Sequence, residues 1–407
     1  VELLRVTRCP HFSLAGGGSL HDAARMSVRV AEPVVVTYDE LLRGGGELND
    51  RISAAFGYDG LGIIVVSNVP GVDDARRALL PLAPRFAALP DEVKEKYVHE
   101  QSFFAFGWSH GKEKLQSGML DTGKGSFYAN PQYDNPVDDE ELIRKFPALV
   151  HPNIWPTEDL PELEAAFKNL GQLIVDTGKH VARHCDNYVH SQLPGYASDR
   201  LERIISESRC AKGRLLHYFP RAEGAPASAA GASDFAFSDW CGWHNDHGSL
   251  TGLVTAMFMD AEGREVPNED PEAGLYVSSR QGSLVHVRIP AGGLAFQIGE
   301  TAQVHSGGLL QATPHAVRGT SVPGVSRSTM AVFMEPMMGE PMDVPAGRSL
   351  EDTQSASAAE ALPAGVPPLA SRWELGQDFG QFTERTLGMF YDTPEGAEQG
   401  EVAAAES

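Results

Sequence analysis

Cysteine is scarce in this sequence. Its 407 residues include four, Cys9, Cys185, Cys210 and Cys241, widely spaced and without a C-x-x-C pair. That excludes a disulfide scaffold and reads as a chain for a reducing compartment. Long apolar runs are missing too: none approaches the roughly 18 residues of a membrane-crossing helix. Cationic residues are in deficit, with 33 Lys and Arg against 55 Asp and Glu, for a net charge of -22. Such a field repels phosphate backbones and anionic lipid, and no cluster of Lys and Arg offsets it. No nucleic-acid partner and no membrane are therefore expected, and the chain reads as a cytoplasmic monomer. Hydrophobic residues at 42% and charged residues at 22% stay near globular averages, so a folded chain with a sizeable core is expected.

Residues 1–30 include Gly16-Gly17-Gly18 and several Arg and Ser, and read as a poorly ordered N-terminus. As the remnant of a transit peptide, residues 1–25 would move the compartment to a plastid. Residues 31–195 read as an N-terminal α/β region. Two β-prone runs lie in it, at 33–36 and 62–68, the second rich in β-branched residues and stopped by Pro70-Gly71. Leu160, Leu163, Phe167, Leu170, Ile174, Val181 and Cys185 recur at helical steps. They predict a long amphipathic helix over about 161–190, buttressing a sheet. On it, His180 and His184 stand at i and i+4 but lack the intervening Glu of a zinc-protease helix, and read as packing. Residues 100–135 hold Phe103, Phe104, Phe106, Trp108, Phe127, Tyr128 and Tyr133 among glycines, without a clean period. They read as a long functional loop that packs through its aromatics.

From Arg214 onward, short β-like runs at 215–219, 250–259, 275–278, 284–289, 294–298, 302–305, 312–317 and 329–334 are separated by Gly and Pro turns. This is the pattern of a sandwich or jelly roll, giving a mainly β fold with flanking helices. The jelly-roll core is expected over 196–345. Residues 346–407 form a C-terminal extension, with a last helical stretch at 379–391 and a disordered end.

The chemistry concentrates at Trp243-His244-Asn245-Asp246-His247-Gly248. In extended backbone His244 and Asp246 point to one side, and His247 faces away from Asp246. One imidazole and one carboxylate on one face are two ligands of a facial triad, and a third histidine completes it. Two His and one carboxylate leave open positions on an octahedral iron, suited to oxygen activation beside a bound co-substrate. His286, His305 and His315 are the candidates for the third corner. Twelve residues after His315 comes Arg327-Ser328-Thr329. An Arg fork with a nearby hydroxyl is a way to hold the distal carboxylate of a metal-chelating 2-oxoacid.

With these motifs in this order, the sequence resembles the iron(II)- and 2-oxoglutarate-dependent dioxygenases of the isopenicillin-N-synthase-like type, in its plant and algal members. The likeness runs from about Glu32 to Tyr391 and includes the stretches at 62–70, 107–113, 124–131, 293–300 and 311–317. It implies a double-stranded β-helix, with His244, Asp246 and His315 as iron ligands. It also implies Arg327, Thr329, Tyr218 and His217 as groups around the co-substrate. The implied cofactors are Fe(2+) and 2-oxoglutarate, with ascorbate as an auxiliary reductant. The implied reaction uses O2 to oxidise, most often to hydroxylate, a small organic molecule, with release of succinate and CO2.

One departure bears on the co-substrate. The family's Asn-x-Tyr-Pro is matched here by His217-Tyr218-Phe219-Pro220, so Phe219 lacks a phenol oxygen that Tyr218 or His217 must replace. Two rival readings follow: an iron oxidase that uses no 2-oxoglutarate, and a catalytically silent jelly-roll receptor. The aromatic stretch at 100–135 is expected over the barrel mouth, with Trp108, Phe127 or Tyr128 lining the substrate pocket. A satellite cluster on the barrel's outer face is its alternative.

Overall fold

The computed structural model describes residues 28–112, 120–221, 241–355 and 362–389. Expectations for the first 27 residues, for residues 113–119 and for the chain beyond 389 fall outside them.

Two sheets form the body of the molecule. The smaller has the order β1 (Arg29–Ala31), β12 (Leu284–Val287), β11 (Gly274–Ser278), β14 (His315–Arg318), β7 (Cys241–His244). The larger follows β2 (Val34–Thr37), β3 (Ile63–Ser67), β13 (Leu294–Ile298), β8 (Leu250–Val254), β15 (Ser326–Met334), β6 (Lys212–Tyr218), β5 (Lys124–Ala129), β4 (Gly107–His110). Off that path, β9 (Met257–Met259) pairs with β15 and β10 (Glu265–Val266). The fold is thus sheet-rich with flanking helices.

The run Ile63-Ile64-Val65-Val66 shows how the layers meet. Ile63 and Val65 cluster with Leu275, Val277, Val285 and Val287 of the smaller sheet. Ile64 and Val66 face the other way, into the core shared with the helices. A strand buried on both faces accounts for an unbroken β-branched run. Helix Glu162–Gln192 lies across this outer face and buries Leu163, Phe167, Leu170, Ile174, Val181, Cys185 and Val189. Its approach is close. A Cβ on Gly252 would sit 2.2 Å from Ile174, and one on Gly178 2.4 Å from the Met334 sulfur. On the same helix, His184 bonds the Leu41 carbonyl at 2.9 Å and His180 packs edge-on against Tyr38. They form no metal pair.

Two expectations need correction. The stretch 100–135 is not one long loop: β4 and β5 form an antiparallel pair that extends the larger sheet beyond β6. Its alternation is hard to read because Lys124, Ser126 and Tyr128 share the face that carries Arg214, while Phe127 faces the helices. The strand expected at 302–305 is a short helix, Glu300–His305. The loop after β7 starts it: Glu300 N donates to the Asp246 carbonyl at 2.8 Å, and Thr301 Oγ1 to that of His247 at 2.6 Å. The helical stretch expected from 379 is present and packed. Helix Phe379–Leu387 and Trp373 build a second core with Phe146, Leu149, Val304 and Met338. Among the described residues no helix is long and apolar enough to cross a membrane.

Candidate metal centre and its cavity

His244 and His315 meet because β7 and β14 are paired with these two residues directly opposite, their rings 4.3 Å apart. Asp246 lies two residues past His244. Its Oδ1 is 3.7 Å from His244 Nε2 and 3.9 Å from His315 Nε2. The three donor atoms all lie within 4.8 Å of one another. His286 and His305, the other candidates for the third corner, are elsewhere. His286 stacks on Tyr276, and His305 bonds the Pro341 carbonyl at 2.9 Å.

Both imidazoles are oriented through their far nitrogens. Nδ1 of His244 lies 2.9 Å from the Gly242 carbonyl, and Nδ1 of His315 lies 3.2 Å from that of Thr313. A carbonyl oxygen only accepts, so each Nδ1 carries the hydrogen, and in the neutral ring each Nε2 offers a lone pair. Burial pushes the His244 imidazolium down, but the Cys241 sulfur and the Asp246 carboxylate outweigh it and raise its pKa to about 9. His315 moves down to about 4, through burial and the neighbouring His244. Burial acts to raise the Cys241 thiol, and His244 reverses this to about 7. Oδ2 of Asp246 is buried with no hydrogen-bond partner among the described residues. An anionic oxygen in that position, beside two aimed imidazoles, suits a cation of the iron or zinc type, which would displace the proton on His244. The residues present fit such a metal.

A cavity of about 850 Å³ opens from this group between the two sheets. Arg327, Thr329, Ala331 and Phe333 of β15 line it, with Arg214, Leu216 and Tyr218 of β6. These are the inward residues of directly paired positions, Arg327 opposite Tyr218 and Thr329 opposite Leu216. The Arg327 guanidinium lies 4.9 Å from the centre of the Tyr218 ring. Burial works against its charge, and Tyr218 partly restores it. Thr329 lines the same wall, but its hydroxyl donates to the Val254 carbonyl at 3.0 Å.

The register answers the question raised by Phe219. Tyr218 is the phenol on the cavity side. His217, one residue back, points to the opposite face, where its Nδ1 meets the Ser328 hydroxyl at 3.1 Å and Phe219 packs against its ring. His217 therefore does not join the groups around the cavity. Trp108 and Phe127 also lie away from it, each 5.1 Å from Phe86 in the helix-side core. Tyr128 backs the Arg214 guanidinium at 5.1 Å without lining the cavity itself. The outer-face alternative describes this cluster better than a lid.

Several residues of the site have no motif in the sequence. Arg214 is held by Ser126 through Nε at 2.9 Å. Behind the cavity wall, on β5 opposite Tyr218, Lys124 makes a buried ion pair with Asp121. Gln297 is a lone carboxamide in an apolar strand, and that contrast is a signal a reading of the alternation could have used. Glu300 accepts at 3.2 Å from Asn245, the residue between His244 and Asp246.

No family model matches the chain, and no curated protein sequence matches it. Solved structures do share its fold. A Caulobacter crescentus protein assigned to the 2OG-Fe(II) oxygenase family aligns with a TM-score of 0.61 at 21% identity, over 88% of this chain and 98% of its own. Full-length Neurospora crassa T7H, solved with alpha-KG, also gives 0.61 at 19% identity, over 88% of this chain and 96% of its own. JOX2, solved with 2OG, Fe and JA, gives 0.52 at 16% identity, over 88% of this chain and 90% of its own. At these identities the similarity is one of fold.

Proposed function

We propose that the chain is an iron(II)- and 2-oxoglutarate-dependent oxygenase of small organic molecules, built on a double-stranded β-helix. The convergence of His244, Asp246 and His315 at the end of a cavity that also holds Arg327 carries this reading. The fold shared with T7H solved with alpha-KG and with JOX2 solved with 2OG, Fe and JA supports it. So does the small size of the ligands in those structures, among them thymine in T7H.

In this reading His244 and His315 hold iron through Nε2, and Asp246 supplies the anionic ligand. With iron and 2-oxoglutarate bound, O2 would be the oxidant: two of its four electrons would come from 2-oxoglutarate, which leaves as succinate and CO2, and two from an unactivated C–H bond of the substrate. Arg327 grips the distal carboxylate of 2-oxoglutarate by its fork, and the Tyr218 hydroxyl stands beside it.

The Thr329 hydroxyl gives its hydrogen to Val254, so it cannot also donate to a carboxylate. That observation favours a second reading, an iron oxidase without a 2-oxoacid. One assay separates the two: a metabolite library screened for substrate-stimulated conversion of 2-oxoglutarate into succinate. Iron-dependent succinate formation that disappears in His315→Ala is expected. Substrate oxidation without succinate supports the oxidase, and neither activity with any metabolite contradicts both.

A further inference from the structure

Gln297 stands where a side chain should be apolar or paired. On β13, Leu294, Phe296 and Ile298 pack into the helix-side core, and Ala295 faces the smaller sheet. Gln297 shares the inward face and lines the cavity, with Thr251 opposite it on β8 and Ile63 on β3. It is 2% exposed. Neither its Oε1 nor its Nε2 has a hydrogen-bond partner among the described residues. An amide buried this way is costly, and each such group calls for an explanation.

Position suggests one. β13 ends at Ile298, and the next two N–H groups bond to the turn that holds the metal ligands. Gly299 N donates to the Ser249 carbonyl at 3.1 Å, and Glu300 N to that of Asp246 at 2.8 Å. A molecule held by Gln297 is therefore held close to the metal-binding turn.

The carboxamide presents an acceptor and a donor side by side in one plane. A ligand satisfies both at once when it carries its own donor and acceptor side by side. The cis-amide edge of a lactam, the edge of an imide or pyrimidinedione, and a primary carboxamide do so. A carboxylate satisfies only the N–H half and sets its charge against Oε1. We propose that Gln297 orients the substrate through such a paired hydrogen bond, and that the substrate carries a cis-amide or imide edge. The inference rests on the cavity being the substrate pocket of the oxygenase described above.

Ligand-observed NMR tests it with iron-loaded protein and 2-oxoglutarate under nitrogen. The probes are thymine, succinimide, 2-pyrrolidinone and nicotinamide, each beside its N-methylated counterpart, with benzoate as the anionic control. At least one probe should bind, at least tenfold better than its N-methylated form and better than benzoate. Gln297→Leu should weaken that binding at least tenfold and melt at a higher temperature than the wild type, since it removes two unpartnered buried polar atoms. A merely structural glutamine predicts a lower melting temperature instead, and that result overturns the proposal. So does a silent panel, equal binding of the methylated forms, or unchanged binding in Gln297→Leu. Binding of 2-oxoglutarate to the wild-type protein, read in the same samples, judges the oxygenase reading separately. If it is present while the panel is silent, only the Gln297 inference fails.

Discussion

Arg372 and Glu300 form a buried ion pair across 72 residues of sequence, with one guanidinium nitrogen 2.6 and 2.7 Å from the two carboxylate oxygens. The same Glu300 accepts from Asn245, which sits between the candidate metal-site residues His244 and Asp246. The pair ties the C-terminal segment to the turn that presents those residues. His247, beside Asp246, reinforces the tie by stacking on Phe379 with an interplanar angle of 2°.

Arg372→Met should therefore destabilise strongly. It strands a carboxylate that is 0% exposed, a loss of about 3–5 kcal/mol for one broken partner of a buried pair. Adding Glu300→Gln should recover most of that loss, because no charge is then left buried. Urea unfolding of the two single variants and the double variant gives the comparison. Additive losses would show that the pair does not act as a unit.

Arg327→Lys keeps the charge and loses the fork. The dissociation constant for 2-oxoglutarate should rise more than tenfold, about 1.4 kcal/mol or more. Calorimetric titration of the iron-loaded protein measures it, and unchanged affinity would place the anchor elsewhere.

Acid should destabilise the fold through two histidines remote from the metal site. Burial pushes His305 down to about 3 and His217 to about 4. Their unfolded values lie near 6.5, so above that pH neither state binds the extra protons and their contribution to stability is intact. As the pH falls below about 6.5 the unfolded chain is protonated first. Each histidine then costs about 1.4 kcal/mol per pH unit until its folded pKa is reached. His305→Gln keeps a donor for Pro341 and should flatten the pH dependence of unfolding between about pH 6 and 4 relative to wild type. An unchanged slope contradicts the assignment.

Trp108→Ala separates packing from binding. Trp108 is buried among Phe86 and Phe127 and does not line the cavity, so the change should cost about 3–5 kcal/mol of stability. Substrate affinity of the folded fraction should stay within a factor of two. A large loss of affinity would restore the lid.

Where a residue's role is local, the sequence was a good guide. The helical steps from Leu163 to Cys185 and the β-branched run Ile63–Val66 are read from side chains that pack on their own element's face. The pairing of His244 with Asp246 was legible from spacing, whereas spacing left His286, His305 and His315 open as its third partner and only the family resemblance pointed to His315, the one that lies beside them. Sequence could not settle which face each residue of β6 takes, since a one-residue change of register exchanges His217 for Tyr218. The roles of Arg372 and Gln297 could not be read from sequence for another reason, although Gln297 stands out as a carboxamide in an apolar strand. One matters through a partner 72 residues away, and the other through a cavity that exists only once two sheets meet.

The most direct test of the account is 2-oxoglutarate binding with and without iron(II) under nitrogen, in the wild type and in Asp246→Ala. The account predicts one iron per chain in the wild type and 2-oxoglutarate binding that requires it, with both lost in Asp246→Ala although the variant remains folded by circular dichroism. Wild-type protein that binds 2-oxoglutarate equally well without iron, or an Asp246→Ala variant that retains both, would contradict it.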